Sequence, residues 1–371
     1  MLKKITFLFL IFMNLSYAQD TTQIDREMRE TINQIVMSSD VPGISVAIAG
    51  PDGLIWSGTA GYSNIEERQN ISQGHLFGIG DLSSDYIAAT AVMLIKDGLL
   101  DENATPKDIL GNIVNHIEYA DRATVKQLIA QQSAIYSYDR DNDWQRRARG
   151  IQLNPKYRWE KGEALKYNAS NLTISTSIPG SETAYSKTNA TLLGLIIEKT
   201  SGGMLEDEIR NRILVPNNLK ETYLDGYEIP PKEKRVGNYH LGTNQFISEV
   251  GINAKFQFID DTILLDTSGT SLTAEGPAGS ILATSRDLAL FQASILNGEL
   301  SDIKKYLPAR DTFHSEILGF TTDVKILDTS GIVIVSNVNL GVANTGQNAA
   351  HDFLNTYMEK IILPVAKKYA K

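Results

Sequence analysis

The chain has 371 residues, 42% of them apolar and 21% charged, and its 35 basic and 44 acidic side chains leave a formal net charge of −9. Such a composition supports a large buried core, and acidity spread along the chain argues against nucleic acid or an anionic membrane as a partner. There is no cysteine, which excludes disulfides, thiol chemistry and lipid attachment through a thiol.

The first eighteen residues read as a secretory signal peptide. Lys3 and Lys4 precede an apolar run from Ile5 to Met13, and Ser16-Tyr17-Ala18 forms a small-x-small cleavage site. The run is too short to span a bilayer comfortably. The expectation is therefore cleavage, a mature chain over 19–371, export to the periplasm or the medium, and no membrane span left behind.

Residues 23–39 carry helical spacing in Ile24, Met28, Ile32, Ile35 and Val36, stopped by Asp40-Val41-Pro42-Gly43. Residues 44–49 alternate as a strand, Pro51-Asp52-Gly53 turns, and residues 54–60 return as a hairpin. Next comes Phe77-Gly78-Ile79-Gly80-Asp81-Leu82-Ser83-Ser84-Asp85-Tyr86, running into a buried helix. Val92, Leu94, Ile95 and Leu99 are its apolar residues, Ala88, Ala89 and Ala91 permit close packing, and Gly98 suits its stop. Gly78 and Gly80 allow unusual dihedrals at its start, where Asp81, Ser83 and Ser84 offer capping oxygens. A side chain there is held beside the positive end of a helix.

Residues 136–149 form a polar, aromatic stretch holding Asp139, Asp141 and Asp143. Trp144 stands where a calcium loop wants glycine, so a solvated loop is expected and not a metal site. Residues 192–202 read as a helix and 256–267 as strand-like. Residues 321–327 and 332–337 form an antiparallel pair around Thr329-Ser330-Gly331, and 348–368 a closing helix. His75, His116, His240, His314 and His351 lie far apart without zinc spacing. No metal and no cofactor is expected.

The Phe77 stretch resembles the nucleophile motif of the penicillin-binding-protein and class C β-lactamase family of serine hydrolases. That motif reads F-x-I-G-S-x-x-K-x-x-T-A, the serine attacking and the lysine one turn later activating it. Aligned by Phe77, Ile79 and Gly80, Asp81 stands at the serine position and Ser84 at the lysine position. Pro179-Gly180 and Tyr185-Ser186-Lys187 resemble P-G-x-x-x-x-Y-S-N, with Tyr185 retained and Lys187 in place of the asparagine. Residues 123–134 resemble T-I-R-x-L-L-x-H-T-S-G, with Gln131 for histidine and Ala134 for glycine. Residues 276–289 are close to P-A-G-G-x-x-S-T-x-x-D-L-A. His314-Ser315-Glu316 is the candidate for [HK]-[ST]-G, Glu316 replacing the glycine, and the stretch before Phe320 is shortened.

The resemblance implies an α/β fold of the α+β type, β-lactamase/transpeptidase-like, in one discontinuous domain. An antiparallel sheet flanked by helices would use 23–80 and 317–371, and a mostly helical part 81–316. It places Asp81, Ser84, Tyr185 and Lys187 at catalytic motif positions, and Gln131, Ser186, His314 and Ser315 at binding positions. An acid for the serine and a base for the asparagine imply an Asp81–Lys187 ion pair in the old active site. Attack by Asp81 would give a mixed anhydride, and Ser84 has no basic nitrogen. Ser301-Asp302-Ile303-Lys304 matches S-x-x-K only in a loop context, and there is no G-x-S-x-G elbow. Two functions stay open: an exported pseudoenzyme holding a small or peptide-like ligand or a protein, or a hydrolase of esterase, peptidase or amidase type rebuilt around Asp81 and Tyr185.

Overall fold

The computed structural model describes residues 23, 25–168, 177–259, 261–327, 330–342, 358–364 and 367. The signal segment and most of the expected closing helix lie outside them. A six-stranded antiparallel sheet runs in the order Thr312–Ile317, Phe320–Leu327, Ile332–Val338, Gly43–Gly50, Gly53–Asn64, Gln69–Asn70. Gly43–Gly50 and Ile332–Val338 sit at its centre and are buried on every residue. Their alternation sorts side chains to two faces. Val46, Ile48 and Ile334 pack with Met28, Ile32 and Ile35 of the helix at 25–37. Ala47, Ala49, Val333 and Val335 pack with Leu288, Ala289 and Phe291 of the helix Ser285–Asn297. With both faces covered, the near-continuous apolar runs follow.

The sheet returns at Thr312, five residues before the expected position 317. Leu318-Gly319 makes the tight turn into Phe320–Leu327, and Gly319 holds φ +82 with Asn238 against the place a Cβ would occupy. His314-Ser315 therefore lies on the sheet's outer strand. A three-stranded sheet, Phe77–Gly78, Ile281–Ala283, Thr222–Leu224, and a four-stranded one, Leu340–Gly341, Tyr239–Leu241, Leu264–Asp266, Gln257–Phe258, complete the strands among the described residues.

The helix Ser83–Lys96 is buried from Ser83 to Val92. Asp85 in its first turn and Lys96 in its last complement the helix dipole. Tyr86 stacks on Phe291, ring centres 3.7 Å apart, which ties it to the helix behind the sheet. Leu99 lies past the helix end and is 53% exposed, so the helix's apolar stripe ends with Leu94 and the partly buried Ile95, short of Leu99.

The stretch expected to be a solvated loop holds a helix, Asn142–Ala148. Asp141 caps it, accepting from the N–H groups of Asp143 and Trp144. Trp144 and Tyr138 are fully buried. The alternating aspartates are a cap and its neighbours, and no acid or histidine cluster able to hold a metal occurs among the described residues.

Candidate active site

Gly80 sits at φ +55 with Ser315 Oγ 2.2 Å from the place a Cβ would take, so only glycine fits there. This close approach brings the sheet's outer strand against the turn Gly80–Leu82 at the foot of the Ser83–Lys96 helix. The N–H of Asp81 donates to Ser315 Oγ at 2.7 Å. Ser83 Oγ accepts from the N–H of Ile281 at 3.1 Å and fixes the turn from the other side.

Lys187 opens the helix Lys187–Ser201, which ends on Gly202 at φ +74. Its Nζ stands 2.9 Å from Asp81 Oδ1, and it also pairs with Glu275. The ammonium is 1% exposed. Arg149 grips Glu275 with a two-pronged contact, Nε to Oε1 at 2.8 Å and Nη2 to Oε2 at 3.1 Å. Two cations and two anions thus form one chain of contacts, Asp81, Lys187, Glu275, Arg149. Burial works against every charge in it. For Glu275 the two cations outweigh burial and hold the carboxyl at about 2. For Lys187 burial pulls down, but Asp81 and Glu275 together hold it above its ordinary value. For Asp81 burial is the largest influence and pushes the carboxyl up, against the pull of Lys187. Asp81 Oδ1 has a cation close by but no aligned hydrogen bond among the described residues.

Tyr185 and Ser84 meet at 2.9 Å through their hydroxyls. Tyr185 OH also reaches the Asp81 carbonyl at 3.5 Å. Burial first, and then the Asp81 charge, push the Tyr185 phenol well above its usual range, so it stays protonated. Gln131 Oε1 accepts from the Ser186 N–H at 3.0 Å and from Asn189 Nδ2 at 2.7 Å. Gln131 is thus a clamp on the start of the Lys187–Ser201 helix. Ser186 Oγ is buried without a hydrogen-bond partner among the described residues.

His314 is engaged on its own sheet, Nδ1 with Asp323 at 2.5 Å and Nε2 with Glu316 at 2.8 Å. Successive strand residues face opposite ways, and of this pair it is Ser315 that bonds Asp81.

The space between Ser84, Gln131 and Tyr185 is about 10 Å³ and is also lined by Leu307, Pro308 and Arg310. Arg310 pairs with the buried Asp85, the residue after Ser84. The stretch before the outer strand therefore lies beside Ser84 and Tyr185.

Glu275, Arg149, Asp85 and Arg310 were not among the residues the sequence nominated. Glu275 directly precedes the recognisable Gly276-Pro277 segment, its one available signal. Arg149 is 126 residues away from it in sequence, and nothing local marks the pairing.

The architecture is a β-lactamase/transpeptidase-like α+β fold, with the four motif positions gathered at the start of its central helix. The beta-lactamase family model matches residues 28–317, and the chain belongs to that family. Protein flp of Staphylococcus aureus (strain COL) is 23% identical over 234 residues, 63% of this chain and 45% of flp. A beta-lactamase of Escherichia coli (strain K12) is 22% identical over 246 residues, 65% of this chain and 59% of that protein. The match with flp therefore spans somewhat under half of that relative's length. The D-amino acid amidase of Ochrobactrum anthropi SV3, solved with L-phenylalanine amide, superposes with a TM-score of 0.75 at 18% identity, covering 94% of this chain and all of that one.

Proposed function

We propose that this chain keeps its family's fold as a binding protein and carries out no serine acyl transfer. What supports this most directly is residue 81. Its carboxylate faces Lys187 at 2.9 Å, and its N–H is given to Ser315 Oγ at 2.7 Å. In a serine hydrolase the nucleophile's side chain attacks and its N–H helps hold the oxyanion. Here the side chain has no hydroxyl and the N–H is already used. Ser84 brings no base, and the Tyr185 phenol holds its proton too firmly to act as one.

The reading is tested by incubating the protein with a fluorescent penicillin and with a fluorophosphonate, followed by intact-mass measurement. The expected result is unmodified protein. A stoichiometric adduct on one serine, lost when that serine becomes alanine, would overturn the proposal. β-Lactams and D-aminoacyl amides are the first ligands to try by thermal shift, since relatives carry those names. Turnover of D-phenylalanine amide that disappears in Asp81→Asn would favour the rebuilt hydrolase instead.

Export belongs to the same proposal, on the strength of Lys3-Lys4, the apolar run and Ser16-Tyr17-Ala18. N-terminal sequencing of protein from the non-cytoplasmic fraction should begin at or near Gln19. A soluble cytoplasmic protein with Met1 intact would refute it.

A further inference from the structure

Leu307, Pro308 and Arg310 have a second side. Behind them lies a cavity of about 510 Å³, with Ile295, Leu296, Leu307 and Ile326 as its apolar wall and Lys304 and Arg310 among its polar residues. That volume, and mostly apolar walls with a few polar groups, are the usual make-up of small-molecule sites. Arg310 is held firmly: it pairs with the buried Asp85, and its guanidinium lies 4.3 Å from the ring centre of Phe313. The contact with Asp85 uses one nitrogen, whereas a guanidinium carries five N–H donors. Asp85 has a second donor in Gln292 Nε2 at 2.8 Å, and Gln292, 4% exposed, also lines the cavity. The acid lining the cavity is Asp311, and Lys325 stands 3.5 Å from it. Of the charged side chains on the wall, Asp311 is paired with Lys325, and Arg310 keeps guanidinium N–H groups beyond the one that meets Asp85.

The geometry points to a binding site for a small amphipathic anion, its carboxylate or similar head at Arg310 and its apolar body against Leu296, Leu307 and Ile326. The site is distinct from the residue 81 cluster and does not rest on what that cluster does chemically.

Octanoate, octylammonium and octanol, titrated separately into the whole protein by calorimetry, test it. Octanoate should saturate one site at least about tenfold more tightly than the other two. Ala309→Trp, at an exposed position on the cavity wall, should weaken octanoate by about tenfold or more without touching the Asp85 contact. Arg310→Gln should erase the preference for octanoate over octanol. If that variant does not fold, because the buried Asp85 loses its cation, Ala309→Trp decides alone. Equal binding of octanol and octanoate, octanoate binding unchanged in Ala309→Trp, or no saturable binding of octanoate would each overturn the proposal.

Discussion

Lys187 occupies the first position of a helix, where the positive end of the dipole disfavours a cation. It is also almost fully buried. Both costs are offset only because two carboxylates, Asp81 and Glu275, share it. The two acids differ in what they have left when Lys187 is removed. Glu275 keeps the fork from Arg149, while Asp81 keeps no cation among its described contacts. Lys187→Met should therefore cost about 3–5 kcal/mol, the usual penalty for breaking a buried pair from one side. Asp81→Asn leaves Lys187 paired with Glu275 and removes a carboxylate that burial already disfavours. Its cost should be about 1 kcal/mol or less. Urea denaturation with an unchanged slope measures both. Equal losses in the two variants would mean that Glu275 does not hold Lys187 by itself.

Among the elements, the outer strand shows how a motif is legible while its use is not. His314-Ser315 could be found from its place before Phe320. The antiparallel register is what sets His314 opposite Asp323, and a one-residue shift would turn His314 to the other face. Glu316, two residues on, stands on the same face. Burial pulls the imidazole down, but Asp323 and Glu316 hold it at about 9. A folded value above the unfolded 6.5 gives stability that is complete below about pH 6.5 and lost as pH rises through 9. The shift corresponds to about 3 kcal/mol. Wild type should lose stability across that window, while His314→Gln should be weaker at pH 6 and nearly flat up to pH 9. Parallel pH profiles would sink the assignment. Asn142–Ala148 failed to show in the sequence for a related reason. Its seven residues are too few for a period to stand out, and Trp144 reveals itself as core only once Tyr138 and Ala274 surround it. The pairing of Asp81 with Lys187 was legible because two motif positions changed charge together. Glu275 and Arg149 were not, because no spacing links them.

At the scale of the whole molecule, the proposed lack of serine chemistry sets an expectation for a variant that carries the family's motif residues on this scaffold. The sheet, its two covered faces and the Ser83–Lys96 helix do not depend on the charged cluster, since their packing is apolar. The triple variant Asp81→Ser, Ser84→Lys, Lys187→Asn should therefore fold, Glu275 keeping Arg149 as its partner. It restores a hydroxyl, a base and an amide, three of the parts acyl transfer needs. Two obstacles remain that side-chain restoration does not touch. Ser315 still accepts the N–H of residue 81, and Leu307, Pro308 and Arg310 still line the small space beside Tyr185. The expected outcome is a folded triple variant that a fluorophosphonate leaves unlabelled by intact mass. Ser315→Gly added to it frees the N–H of residue 81, and replacing the Leu307-Pro308 step by Gly-Gly should loosen the stretch before the outer strand. Labelling should appear only when both are added. Prompt labelling of the triple variant by itself would trace the proposed lack of acyl transfer to three side chains and leave the stretch before the outer strand no part in it.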